Sequence, residues 1–317
     1  MLLSYDDQFG VIKINSMAEG LPATVHVPVL FDETLDALSL APGKVILDGT
    51  LGGGGHSLAI ARAVGETGLV IGLDRDPDAL DRFDARLASL DERPSIQTYF
   101  ANYCDFDAAL ERAGVKRVDG FLLDLGLSSD QLADRTRGFS FDSDGELDLR
   151  FDRTEGEPAY VLLNRWSQER IADVVYQYGE ERNSRRIARA IVERRAEAPL
   201  RYAKELAEIC RRCASIPPWS KTRIDPATRT FQALRIAVND ELGALEMFLT
   251  KCDRYLNPGG RVAIISFHSL EDRIVKNAFR DCCELRIITK RPIIASEEEV
   301  DRNPRSRSAK LRVAEKI

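Results

Sequence analysis

The stretch Val45-Ile-Leu-Asp48-Gly-Thr-Leu-Gly52-Gly-Gly-Gly55-His56-Ser57 constrains this chain more than any other. Its apolar, β-branched start predicts a buried parallel strand, and Leu58, Ile60, Ala61 and Val64 predict the helix that follows. Between them, five of the seven positions from Gly49 to Gly55 are glycine. Without a Cβ, backbone amides can come close to a ligand and positive φ costs little. The following helix begins there, and its unpaired N–H groups favour a carboxylate or phosphate. Strand, glycine loop and helix make the mononucleotide-binding half of a Rossmann-like sheet, with the ligand at the carboxyl end of the strand. A phosphate-cradling loop would close on Gly-Lys-Ser/Thr. This one closes Gly55-His56-Ser57, without the lysine. Asp74 ends the next strand, Leu69–Asp74, where a carboxylate can accept hydrogen bonds from ribose hydroxyls. NAD and S-adenosylmethionine both carry that ribose, so these features specify an adenosine-containing cofactor and leave the choice open.

The chain has 317 residues, which predicts two domains or one domain with an insertion. No apolar run approaches a membrane span. Residues 1–25 lack an apolar signal core and are expected to form a loosely held extension, giving a cytoplasmic protein. The six cysteines read as reduced thiols. Cys210 and Cys213 fall inside a helical pattern and Cys282-Cys283 would chelate poorly, so no metal site is expected.

The βα alternation continues through strands at Leu69–Asp74, Ser95–Phe100 and Val118–Asp124, with helices at Pro77–Leu90 and Phe106–Ala113. Arg135 to Asp152 is polar and aromatic without periodicity, and its acidic cluster lacks the spacing of a calcium loop. It reads as a loop lining a site. Three helices follow: one capped by Ser167 and stopped by Gly179, then Arg185–Glu197, then one carrying Tyr202, Leu206, Ile209 and Cys213 and closed by Pro217-Pro218. From Thr228 a single long helix reaches Cys252, Asn257-Pro-Gly-Gly260 makes a turn, and Arg261–His268 is strand five. Ser269 with Asp272 is expected to cap the next helix. Two strand-like runs, Leu285–Thr289 and Ala309–Glu315, close the chain with no helical pattern between them. This hairpin-like end departs from a dinucleotide dehydrogenase and favours a methyltransferase sheet.

Charge singles out the helical segment. Arg182 to Arg229 holds 13 Lys/Arg against 5 Asp/Glu, a net of +8, whereas the chain as a whole carries −6. A basic lobe on an acidic protein suggests a polyanion held on one face, and solvated arginine-rich helix faces are the bland alternative.

The motifs closely resemble those of the bacterial ribosomal RNA small subunit methyltransferase H family. The resemblance is carried by His26-Val-Pro-Val-Leu30, Asp48–Ser57, Leu123-Asp-Leu-Gly-Leu-Ser-Ser129 and Gly138-Phe-Ser-Phe141. It continues through Pro226–Glu241, Ile265–Arg273 and Arg305–Val313. It implies methylation of a cytidine N4 in the decoding centre of 16S ribosomal RNA, held within the small subunit. The implied fold is an α/β, Rossmann-like class I methyltransferase sheet formed by residues 26–134 and 226–317. An all-helical RNA-recognition insertion after strand four, 135–225, completes it. The sequence leaves the oligomeric state open, a homodimer included. By position, the family's S-adenosylmethionine contacts fall on Gly54, Gly55, His56, Asp74, Tyr103, Asp124 and Gln131. Asp130, Glu146, Leu149, Phe151 and Asp225 depart from the family's usual residues and concern substrate grip more than the cofactor.

The exocyclic amine of cytidine is a weak nucleophile, so alignment, desolvation and an acceptor for its proton are required. Asp124 and His268, each ending a central strand, are the candidate acceptors. Arg185, Arg186, Lys221, Arg223 and Arg229 are the candidate RNA contacts, with Phe139, Phe141 or Trp219 stacking the base. An NAD-dependent oxidoreductase and a non-catalytic RNA-binding factor are the competing readings, with a DNA or small-molecule amine substrate behind them.

Overall fold

A computed structural model describes residues 28–214 and 225–317. Helix α1 (Phe31–Ala37) leads into β1 (Val45–Asp48), α2 (Gly55–Val64), β2 (Leu69–Asp74) and α3 (Pro77–Ala88). Next come β3 (Ile96–Phe100), α4 (Phe106–Arg112), β4 (Val118–Asp124) and α5 (Ser129–Ala133). Helices α6 (Ala159–Arg165), α7 (Gln168–Gly179), α8 (Ser184–Glu197) and α9 (Ala203–Cys213) follow without an intervening strand. The chain returns through α10 (Thr228–Asn239), α11 (Glu241–Leu249) and β5 (Leu256–Ser266). It ends in α12 (Ser269–Asp281), β6 (Leu285–Ile287), α13 (Glu297–Arg302) and β7 (Lys310–Lys316).

The seven strands pair in the order β3-β2-β1-β4-β5-β7-β6. The first five run parallel, and β7 is antiparallel to both neighbours. This is the Rossmann-like class I methyltransferase sheet. Alternation along each strand divides its side chains between two cores. Ile46, Val70, Leu122 and Ile265 pack with Ile60 and Val64 of α2 on one face. Leu47, Ile71, Leu123 and Ile264 pack on the other, against Phe106, Phe121 and Phe248. Those three rings meet edge to face at 4.9–5.3 Å. Strand order reverses between β1 and β4, so a crevice opens at their carboxyl ends.

A third core fills the helical lobe, and it extends past the expected boundary at 225. Phe231, Ala233 and Leu234 of α10 share it with Ile171 and Val175 of α7 and Ile187 and Ile191 of α8. Helix α10 packs so closely on α7 that a Cβ on Gly179 would lie 2.4 Å from the Arg229 carbonyl oxygen. The left-handed residue that ends α7 is Glu180, not Gly179, which is needed for this approach. Cys210 and Cys213 are buried core residues of the same lobe.

Other expectations change as well. The long helix from Thr228 is two helices, broken where Asp240 takes φ 48°. Asn239 causes the break to be useful: its side chain accepts from Phe151 N at 2.8 Å and donates to the Leu149 carbonyl at 2.7 Å. The Asn257–Gly260 turn is an irregularity within β5, where the register with β4 jumps from Leu256 to Arg261. The cap of α12 is His268 with Glu271, one residue earlier than expected. Asp272 is instead drawn to Arg312 of β7, at 2.6 Å. The segment between the last two strands does contain a helix, α13, capped by Ser296 and too short to leave a periodic signal.

One buried ion pair joins the sheet to the loop at 135–152. Asp76 caps α3, accepting from Asp78 N at 3.2 Å. Its other oxygen accepts from Gln131 Nε2 at 2.9 Å and from Arg137 Nη1 at 2.5 Å. Arg137, 1% exposed, also donates to the carbonyls of Arg150 (2.9 Å) and Phe151 (2.6 Å). Removing one partner leaves a bare charge in a dry site. Arg137→Met is therefore expected to lower the unfolding free energy by roughly 3–5 kcal/mol in urea titrations. A loss below about 1 kcal/mol would contradict this role.

Candidate active site

Strands β1, β2 and β4 each end in an aspartate, and the three carboxylates do different things. Asp48 is buried and fully used, accepting from Thr50 N (3.1 Å) and Ser57 Oγ (2.7 Å). Thr50 Oγ1 in turn accepts from Asp124 N at 2.6 Å, so Asp48 builds the loop rather than facing a ligand. Asp74 accepts from Gly52 N at 2.8 Å on one oxygen and from Asp76 N at 2.9 Å on the other. Each oxygen keeps a lone pair for a further donor. Burial pushes the Asp74 carboxyl up to about 6, against the pull of those two amides. Asp124 has fewer donors. Burial, and then the nearby negative charge of Asp48, push it up to about 8, while Arg305 opposes the shift. His56 lies beside it, Nδ1 3.7 Å from Asp124 Oδ2, with its ring stacked on Phe31.

The glycine loop has reasons that the sequence alone could not separate. A Cβ on Gly54 would sit 1.9 Å from the Phe83 ring, one on Gly55 2.3 Å from Pro28, and one on Gly49 2.4 Å from Leu123. Packing within the protein therefore demands these three. Gly52 differs: at φ +51° its Cβ would meet nothing nearer than 3.8 Å, and its N–H is the one held by Asp74. The loop's shape and the Asp74 carboxylate are thus one unit.

These groups line an open crevice. Of the residues expected at the cofactor, Gly55, His56, Asp74, Tyr103, Asp124 and Gln131 all face it. Gly54 stands behind, at the left-handed N-cap of α2. The Tyr103 ring meets Phe248 edge-on at 6.0 Å and its hydroxyl donates to the Glu241 carbonyl at 3.3 Å. Gln131 spends both ends of its amide internally, on Asp76 and on Ser128 N, so it shapes the wall. The donor set fits an adenosine-bearing cofactor: spare lone pairs on Asp74 suit a ribose diol, and Tyr103 and Leu125 offer apolar surface. Among the described residues no cluster of three or more His, Cys, Asp or Glu is spaced to hold a metal.

His268 does not enter this crevice. Its Nδ1 accepts from Glu271 N at 3.4 Å and its Nε2 lies 3.2 Å from Glu271 Oε1, and its ring lines a second cavity. Leu127 and Phe267 line both spaces. Phe141 lines the second cavity, as does Phe139, which is also part of the lobe core. Arg305 enters the sequence reading only as the start of the Arg305–Val313 motif, with no role in the site. It reaches from the C-terminal segment into the crevice and donates to the Leu127 carbonyl and Ser129 Oγ, pinning the loop after β4. No local pattern could reveal a contact across 178 residues.

Of the candidate RNA contacts, Arg185 and Arg186 are exposed on α8 and Arg229 is exposed at the start of α10. Lys221 and Arg223, with Trp219, lie outside the described residues. Several other arginines of the basic segment are tied down: Arg194 to Glu205, Arg201 to Glu146 and Arg211 to Asp225. Arg182, just before α8, and Arg185 and Arg189 on it have no carboxylate partner among the described residues, and neither do Lys204 and Arg212 of α9. No described helix is long and apolar enough to cross a membrane.

Comparison with known proteins bears on the whole chain. Residues 23–317 match the MraW methylase family. A protein of Deinococcus deserti named ribosomal RNA small subunit methyltransferase H is 51% identical over 293 residues, covering 92% of this chain and 94% of that protein. Proteins of the same name from Deinococcus radiodurans and Rhodopirellula baltica are 50% and 48% identical, each over 311 residues. These cover 98% and 96% of this chain and 96% and 95% of the relatives. With the glycine loop, the strand order and the match agreeing end to end, the chain belongs to the MraW methylase family.

Proposed function

We propose that this chain uses S-adenosylmethionine to methylate ribosomal RNA of the small subunit, at the N4 amine of a cytidine in the 16S decoding centre, in the cytoplasm. The observation that carries the reading is the adjacency of two spaces. A crevice with a ribose-type carboxylate shares the Leu127–Phe267 wall with an aromatic-lined cavity. The relatives' shared name, at about half identity over nearly full length, supports a ribosomal RNA substrate. S-adenosylmethionine supplies an electrophilic methyl group on a sulfonium. Asp74 would hold its ribose, with the Gly52 turn kept in place by the same carboxylate. Asp124, facing the crevice, would accept a hydrogen from the target amine and localise its lone pair. His268, locked into the α12 cap, acts as a positioning residue. The free arginines of α8, with Arg229, would hold RNA phosphates.

An NAD-dependent reaction has less in its favour, because the C-terminal half forms an antiparallel β7 between β5 and β6 rather than repeating βαβ. The direct test supplies methyl-labelled S-adenosylmethionine with 30S subunits and with naked 16S RNA, then maps the product by mass. One cytidine gaining a methyl on N4 is expected; label only on DNA or small amines, or none at all, contradicts the proposal.

Two further outcomes follow from the charges. An acceptor must be ionised, so the rate should climb with pH towards the ionisation of Asp124, which lies at about 8 in the ligand-free protein. Asp124→Asn should lose that climb together with roughly 10²–10⁴-fold of the rate. An Asp124→Asn enzyme with the wild-type pH profile would exclude the acceptor role. Replacing Arg185 and Arg186 together should weaken RNA binding regardless of sequence and flatten the slope of log K against log salt by roughly 1.4–1.8. Affinity for S-adenosylhomocysteine should stay the same; RNA affinity unchanged in filter binding would count against α8.

A further inference from the structure

We propose that Gln232 is the specificity-determining residue for the target base, accepting a hydrogen bond from an exocyclic amine in the second cavity while Arg235 donates to the neighbouring ring acceptor. The inference rests on the methyltransferase reading above and deepens it. Phe139, Phe141, Phe231 and Leu149 give the cavity aromatic and apolar walls, and Thr228, Gln232, Arg235, His268 and Ser308 supply its polar groups. Phe141 and Phe231 meet edge to face at 4.9 Å, so their faces are set before any ligand arrives.

Gln232 and Arg235 stand three residues apart on α10 and so share one helix face. The Gln232 amide is oriented from behind: its Nε2 donates to the Tyr178 carbonyl at 3.1 Å. That bond leaves Oε1 as an acceptor with no donor among the described residues. Arg235 is fixed in a bidentate pair with Glu241, Nε at 2.8 Å and Nη2 at 2.9 Å. Its Nη1 has no bond among the described residues. Among the polar groups lining the cavity, Gln232 Oε1 and Arg235 Nη1 are thus an acceptor and a donor held from behind on one helix face. Cytosine offers the complement, an N4 amine beside an acceptor ring nitrogen. Uracil would turn a carbonyl towards Oε1 and an N–H towards the guanidinium, mismatching both. The amine has two hydrogens, so one can meet Gln232 while the other remains for Asp124.

The test uses the full chain, 30S subunits and two variants. Gln232→Leu removes the acceptor; Gln232→Glu keeps an acceptor there but loses the donor to Tyr178. Gln232→Leu should lower kcat/KM by about 10- to 100-fold, with S-adenosylhomocysteine affinity within twofold of wild type by calorimetry. Gln232→Glu should retain most of the activity. Gln232→Leu at the wild-type rate overturns the proposal. Equal losses in both variants also overturn it, because they mark Gln232 as a tether of Tyr178 alone. Failure of the wild-type chain to methylate 30S subunits instead overturns the underlying methyltransferase reading, with this inference falling alongside it.

Discussion

Everything around the crevice depends on how carboxylates buried at the ends of parallel strands are compensated. Strand β2 shows the solution most fully. Asp74 takes the amides of Gly52 and Asp76, and Asp76 takes Gln131 and Arg137. A buried charge without donors would be far too costly, so each carboxylate gathers the chain segments that can supply them. The glycine turn, the capping of α3, helix α5 and the 135–152 loop are therefore positioned by two neighbouring side chains. Asp124 has fewer donors than Asp74, and burial pushes its pKa further up, to about 8 against about 6. Perturbation of that kind, in a cleft, suits a group that exchanges protons.

Helix α10 links this electrostatic frame to the lobe. One face completes the lobe core through Phe231 and Leu234. Its last residue, Asn239, clamps the 149–151 backbone, and its carbonyl accepts from Arg75 at 2.8 Å beside the crevice. Arg235 and Gln232 turn towards the second cavity. Lobe and second cavity thus meet on these twelve residues, and Asn239 ties them to Arg75 and Phe151 in the crevice wall.

The sheet was legible because its signals are local. Five apolar runs between helical patterns, four of them ending in a polar residue, dictate parallel strands and a ligand at their carboxyl edge. The placing of Asp74 and Asp124 at strand ends beside one crevice was readable for the same reason. What escaped depended on contacts distant in sequence. The break at Asp240 follows from the service Asn239 gives to Phe151, 88 residues away. The choice of His268 over Ser269 as cap follows from Asp272 pairing with Arg312. That Phe83 forbids a side chain at Gly54 is likewise a contact no local pattern shows. The charge count found the basic lobe, but only the pairing pattern separates the tethered Arg194, Arg201 and Arg211 from the free arginines of α8.

The central claim is that Asp74 at once shapes the glycine turn and grips the sugar of a sulfonium nucleoside. Calorimetric titration of S-adenosylhomocysteine into wild type, Asp74→Asn and Asp74→Ala tests it most directly. The account predicts that alanine weakens binding by at least roughly 10- to 100-fold, since both the ribose contact and the Gly52 tether vanish, while asparagine, which keeps one acceptor, falls between. Binding of equal strength to wild type and Asp74→Ala would contradict it.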